Sequence, residues 1–364
     1  MVDRELTEYM SGAIAGLIKS ARRSAAKNYR ETAFLLRYTL SGLRAGAKRR
    51  SCERRGVHIP PFLIASITAS CNLHCAGCYA RANSTCSDSP KRPLLSAKRW
   101  GAVFSEAAHL GIGFILLAGG EPLLRREVLT LAARRKDIVF PVFTNGTVCD
   151  AQALRLFDRH RNLVPVLSIE GGREITDTRR GEGTYDRIIA TMRALREKRI
   201  LFGASITVTT ENLRTVSGEP FITALRKNGC AVAFFVEYVP ADGQSEFLAP
   251  ADPERDYLER RQNLLREQYP DMIFLSFPGD ERHTGGCLAA GRGFFHINPY
   301  GGAEPCPFSP FSDVSVERMG LLEALSSPLF TKLKARGLVG GEHTGGCALF
   351  EREQEVRDMC RETE

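Results

Sequence analysis

Nowhere does the chain hold an apolar run long enough to cross a bilayer. The longest such stretch near its start, residues 13–18, stops at Lys19, where a membrane helix needs about 20 residues. A secretory signal is also missing, so the eleven cysteines are expected to serve as thiols in a reducing, cytoplasmic setting and not as disulfides. Aromatic residues do not interleave with basic ones and no nucleic-acid-reading module is present, which leaves nucleic acid unsupported as a partner. Surplus charge is absent from most of the chain. Residues 1–60 carry thirteen Lys/Arg against five Asp/Glu, leaving 37 of each elsewhere.

What is present suits a globular protein of two or three units: 364 residues, 43% hydrophobic and 25% charged. The basic start reads as helices over about 5–25 and 30–45, with Ala33, Leu36, Leu40 and Leu43 at helical spacing. The plain expectation is a helical extension that packs this stripe on the body. The sharper one is a surface for the inner face of an anionic membrane or for an acidic partner, which basic amphipathic helices bind.

From Pro61 to about Pro240 strands alternate with helices. Apolar runs at 61–67, 113–118, 139–143, 163–169, 202–208 and 231–238 read as buried strands. Ser96 caps a helix over 97–110 that Gly111 stops, and further helices are expected at 186–199 and 220–227. Such alternation implies a parallel sheet, either a partial barrel or a doubly wound one.

The first strand feeds Cys71-Asn72-Leu73-His74-Cys75-Ala76-Gly77-Cys78. Thiolates are the usual ligands of iron–sulfur clusters, and three of them leave one iron of a cubane open. Zinc, with His74 as a fourth ligand, is the alternative that the spacing leaves standing. One strand–helix unit later comes Gly119-Gly120-Glu121-Pro122, where paired glycines admit close backbone approach. C-x3-C-x2-C followed by G-G-E-P resembles the radical S-adenosylmethionine (radical SAM) superfamily. The resemblance implies a partial (β/α)6 TIM-type barrel over 61–245, after a helical extension at 1–60. It further implies a 4Fe–4S cluster on Cys71, Cys75 and Cys78 whose open iron takes SAM, a one-electron donor of flavodoxin or ferredoxin type, and the Gly119, Gly120, Glu121 and Pro122 segment at the SAM amino group. Asn145 lies in a similar T-N-G segment, and Ser168 or Glu170 is expected at the SAM ribose. Thr207, between Ser205 and Thr209 on one strand face, suits a polar ligand or a wetted rim equally. Glu237, a carboxylate in an apolar run, is a candidate catalytic or ligand-contacting group, with a structural ion pair as the competitor. The chain departs from the family at Gly77, where an aromatic residue usually meets adenine. Tyr79 is the nearest substitute.

The last third, 246–364, has a helix over about 252–267 and a strand over 273–277. His283-Thr284-Gly285-Gly286-Cys287 recurs as His343-Thr344-Gly345-Gly346-Cys347. Between the copies, Gly291, Gly301, Pro305 and Cys306 flank a hairpin-like stretch containing Phe294, Phe295 and Ile297. This resembles the SPASM/Twitch extension of radical SAM enzymes, a small α+β domain. It implies one auxiliary cluster on Cys287, Cys306 and Cys347, with Cys360 the best fourth ligand and His283 or His343 weaker ones. Zinc again uses the same ligand types. The implied reaction is reductive SAM cleavage to a 5′-deoxyadenosyl radical that takes hydrogen from an unactivated carbon. Peptides, proteins or other natural products are the expected substrates. A membrane lipid or isoprenoid is the alternative, and a non-catalytic electron-transfer protein the reading from another class.

Overall fold

A computed structural model describes residues 29–90, 92–241, 243–340 and 346–363, the side chains of Leu35 and of 282–284 excepted. The helix expected over 5–25 and His343 lie outside the described residues.

Seven strands run parallel in chain order: β1 Phe62–Thr68, β2 Phe114–Gly119, β3 Phe140–Thr144, β4 Leu163–Ser168, β5 Gly203–Val208, β6 Val232–Glu237 and β7 Ile273–Phe277. Helices between them cover one face. Ala97–Leu110 begins at Ser96, whose hydroxyl accepts from Arg99 N (3.2 Å), and ends at left-handed Gly111. Along β5 and β6 the residues Ala204, Ile206, Val208, Ala233 and Phe235 are wholly buried beneath these helices. Their neighbours Ser205, Thr207, Phe234 and Val236 point the other way, into the barrel, as period-two alternation requires.

The sheet does not stop at six strands, nor at residue 245. Helix Asp252–Gln268 and β7 form one more helix–strand repeat, and β7 pairs with β6 from Val232↔Ile273 to Val236↔Phe277. At the other edge β8 His296–Ile297 pairs parallel to β1, then turns back through β9 Gly302–Glu304 and β10 Val314–Ser315. The hairpin therefore extends the barrel sheet itself. Buried His296 fixes the join, its Nδ1 on Glu304 (2.7 Å) and its Nε2 on Ser66 Oγ (2.8 Å).

Helix Tyr29–Glu53 lies across the barrel's back, but not by the stripe expected of it. Leu36, Leu40 and Leu43 are 58%, 58% and 68% exposed. The contact instead uses Tyr38, packed with Val139 and Val164, and the buried ion pair Glu31–Arg161 (2.7 Å). Lys48 and Arg49 donate to the carbonyls of Ala108 (2.7 Å) and Gly111 (2.6 Å), the open end of helix Ala97–Leu110. The face that packs is thus a mixed one, in which Tyr38 is flanked by Glu31, Lys48 and Arg49 with their distant partners.

Candidate active site

The loops after β1, β2 and β3 form one hydrogen-bonded body. Gly120 N donates to Thr68 O and Glu121 N to Ser70 O, both at 2.8 Å. A Cβ on Gly119 would sit far inside contact distance of Thr68 O, and one on Gly120 would overlap Ser70 O, so both glycines are demanded by the approach. Gly119 also has φ of 124°. Pro122 opens a short turn, Pro122–Leu124. Glu121 is wholly buried. Its carboxylate accepts from Leu123 N (3.0 Å), Thr144 Oγ1 (2.7 Å) and Asn145 N (2.8 Å), while burial raises its pKa. Its side chain thus binds the ends of β2 and β3 together. Asn145 in turn donates to Asn72 Oδ1 (3.0 Å) and reaches Cys71 Sγ (3.9 Å).

Cys71, Cys75 and Cys78 are free and half-buried at the carboxyl end of β1, where barrels of this kind place their chemistry. Burial raises the Cys71 and Cys75 thiols, and Arg180 then Arg179 oppose the rise at Cys75. Arg180 Nη1 lies 3.9 Å from Cys75 Sγ. Both arginines are gripped by Glu170, with Arg179 at 2.8 Å. Burial alone would raise Glu170, but the two guanidiniums outweigh it and hold its carboxyl below the usual range. Glu170, expected at a ribose, is here the anchor that aims Arg180 at Cys75. Ser168 and Thr207 are half-buried and face the barrel interior.

Gly77 has a left-handed φ of 62°, and any Cβ there would collide with the Tyr238 hydroxyl and ring. Tyr238 follows β6 directly, donating to or accepting from Ser245 Oγ (2.6 Å), and the Arg179 guanidinium lies 6.0 Å from its ring centre. An aromatic ring thus stands beside the loop, supplied by another strand. Sequence reasoning missed Tyr238, whose one signal was its place just past a barrel strand. The expected substitute, Tyr79, lies edge-on to Phe308 (4.9 Å between ring centres), and burial raises its pKa with Cys78 and Cys306 adding to the rise. A buried fourth cysteine, Cys86, also stands near Cys71, its thiol pushed up to about 12 by burial and then by Cys71.

Cys287, Cys306 and Cys347 arrive from three segments, the first two buried and the third half-buried; burial raises all three thiols, with neighbouring cysteines adding to the rise at Cys287 and Cys306 and Glu281 to that at Cys347. Cys360 is buried on helix Glu353–Arg361 with Val356 and Met359. Glu237 does not face the first cysteine loop. It points under helix Asp252–Gln268, accepting from Arg255 Nε (3.1 Å) and from Gly346 N (3.0 Å), beside Cys347. The ion pair with Arg255 is what alternation along β6 gives it. Among the described residues no three His, Cys, Asp or Glu side chains converge as ligands of one metal ion do. A cubane's ligands each hold a different iron and so stand apart, and the loop's free thiols with nearby N–H donors suit such a group.

A model of the radical SAM superfamily matches residues 65–217. The AdoMet-dependent heme synthase of Methanosarcina barkeri (strain Fusaro / DSM 804) is 30% identical over 281 residues, 69% of this chain and 78% of that protein. The chain belongs to the radical SAM superfamily. It is similar, too, to the Fe-coproporphyrin III synthase of the same organism, 32% identical over 160 residues; the match covers 43% of this chain and only 39% of that relative. PqqA peptide cyclase of Rhizobium meliloti (strain 1021) is 26% identical over 68% of each chain. Among solved structures, Streptococcus suis SuiB bound to precursor peptide SuiA superposes with a TM-score of 0.65 at 16% identity, over 79% of this chain and 69% of that one. The radical SAM assignment makes the protein an enzyme that uses a 4Fe–4S cluster and SAM. Among the described residues no helix is long and apolar enough to cross a membrane.

Proposed function

We propose that the protein holds a 4Fe–4S cluster on Cys71, Cys75 and Cys78 and takes hydrogen from an unactivated carbon of a peptide or peptide-derived natural product. The observation that carries this is the body made by the three loops, with free thiols on one side and Gly119-Gly120 pressed against it. When bound, the cluster supplies one-electron cleavage of SAM to a 5′-deoxyadenosyl radical, fed by an external donor of flavodoxin or ferredoxin type. The chain's residues do the rest. Glu121 and Asn145 hold the loop, Glu170 and Arg180 set the charge beside Cys75, and Tyr238 offers a ring for adenine to pack on. PqqA peptide cyclase among the relatives supports a peptide substrate. Anaerobic reconstitution with a low-potential reductant should yield 5′-deoxyadenosine, and Cys75→Ala should abolish it by removing one of three ligands. Undiminished cleavage in that variant defeats the reading.

One observation favours a second substrate, a flat apolar molecule such as a tetrapyrrole. Phe62, Phe294, Phe277, Phe308 and Tyr79 form an unbroken run of ring contacts, and two relatives are named for such chemistry. Titration with iron-coproporphyrin III separates the two: saturable binding followed in its visible absorption supports this reading, and none at micromolar protein removes it.

As to place, we propose that helix Tyr29–Glu53 rests on anionic membrane. Its outward stripe Leu36, Leu40 and Leu43 is flanked by exposed Arg37 and Arg44. Sedimentation with anionic vesicles should fall with added salt and with Leu40→Glu. Equal binding to neutral vesicles, or none to anionic ones, rejects it.

A further inference from the structure

The second thiol group has a companion that its cysteine pattern does not reveal. Glu281 lies six residues before Cys287, in the short 3-10 helix Gly279–Thr284, and is 4% exposed. Local bonds fix its place: Glu281 N donates to Pro278 O (2.7 Å), and Gly286 N closes back on Glu281 O (3.1 Å). The segment from 281 to 286 therefore folds upon itself and lays the carboxylate against Cys287, whose thiol is its hydrogen-bond partner. The same carboxylate neighbours Cys306 and Cys347, close enough to raise both thiols. Arg292 faces it from the next turn and is itself held by the carbonyls of Gly286 and Cys287, each at 2.8 Å. Glu281 is thus a side chain that neighbours all three cysteines.

We infer that Glu281 is the fourth protein ligand of the auxiliary cluster, completing a three-cysteine, one-carboxylate set. This rests on the reading that Cys287, Cys306 and Cys347 hold such a cluster. The chemistry of the set has a consequence. Thiolates are soft donors that grip iron–sulfur clusters, whereas a carboxylate is a hard donor better matched to other metals. One iron of the four is therefore held more weakly, and a substrate amine, thiolate or carboxylate can displace Glu281 there without breaking an iron–thiolate bond. Arg292 stands where it would receive the displaced carboxylate. Cys360, the ligand the spacing suggests, is buried on helix Glu353–Arg361, and in this assignment Glu281 takes its place.

The test uses the full chain with Cys71, Cys75 and Cys78 all changed to Ala, so that only the auxiliary site is filled after anaerobic reconstitution. Iron and sulfide content, Mössbauer spectra and electron paramagnetic resonance are read in this background and with Glu281→Gln, Glu281→Cys or Cys360→Ala added. The background protein should hold a four-iron cluster with about one iron in four in a distinct, partly oxygen-ligated site. Glu281→Gln should lose that iron and show a three-iron signal at least tenfold stronger than the background. Glu281→Cys should restore four irons in an all-sulfur site, which also answers any doubt about folding. Unchanged iron content and spectra in Glu281→Gln overturn the assignment, as does a three-iron signal from Cys360→Ala alone. A background protein that binds no iron overturns the auxiliary-cluster reading and this assignment with it. Full iron in the background with no response to Glu281 overturns only the latter.

Discussion

At the scale of single residues, side chains near the reaction divide by the face of the strand they leave. Glu237 and Tyr238 are consecutive, yet one is fixed to Arg255 under a helix and the other stands over Gly77. Alternation decided their roles. The ring of Tyr238 takes the space that a side chain at 77 would need, so the two positions trade. Stacking of a base on an aromatic ring contributes about 1–3 kcal/mol. Tyr238→Ala should therefore raise the SAM dissociation constant by about tenfold or more, with Tyr238→Phe close to the parent. The measurement is equilibrium binding of SAM to the reconstituted protein. An unchanged constant in Tyr238→Ala would show that adenine packs elsewhere.

Among the elements, two joins matter, one holding the site on the barrel and one bracing the barrel's back. The first is the contact of β2's end with the cysteine loop, where backbone meets backbone and has no side chain to yield. Gly120→Ala forces a methyl into Ser70 O, and such overpacking costs about 1–3 kcal/mol or more. It should lower the melting temperature and reduce bound iron together, because the displaced atoms belong to the loop that carries Cys71. Normal iron content in a destabilised Gly120→Ala protein would separate the two. The second join is helix Tyr29–Glu53. A chain beginning at Val57 loses Glu31 from Arg161 and unroofs Val139 and Val164. Breaking a buried ion pair alone costs about 3–5 kcal/mol. Thermal melting should fall by roughly 10 °C or more.

For the whole molecule, Glu170 ties acid stability to the site. Its folded carboxyl is held below the unfolded value, so the unfolded chain binds more protons as pH falls. The stability it adds is present above the ordinary Glu value of about 4.3 and is lost on acidification below it. Glu121, raised by burial, has the opposite sign, so the contribution is best read by difference. Glu170→Gln should cost about 3–5 kcal/mol at neutral pH, since two buried guanidiniums lose their carboxylate, and the gap from the parent should shrink below pH about 4. Urea unfolding midpoints across pH measure this. A gap that stays constant with pH would mean the loss is one of packing and not of charge.

The sequence by itself determined the repeating strand–helix order, the cysteine loop after β1 and the glycines that press against it. Each is local: apolar runs of strand length, a cap at Ser96, a thiol spacing, a position where no Cβ fits. It also held the seventh strand in plain view, since helix Asp252–Gln268 followed by Ile273–Phe277 is the same repeat once more. Only the tertiary structure decided which polar groups face one another across the molecule. Glu170 finds Arg179 and Arg180 on the helix that follows it, Glu281 finds cysteines from two other segments, and Tyr238 finds Gly77 from five strands away. It decided, too, that Leu36, Leu40 and Leu43 face outward. Helical spacing defines a stripe but not the direction it faces. That choice fell to Glu31, Lys48 and Arg49, whose partners lie 130, 60 and 62 residues away. Partners so distant in sequence leave no periodic trace, because burial of a charge is settled by what the fold brings opposite it.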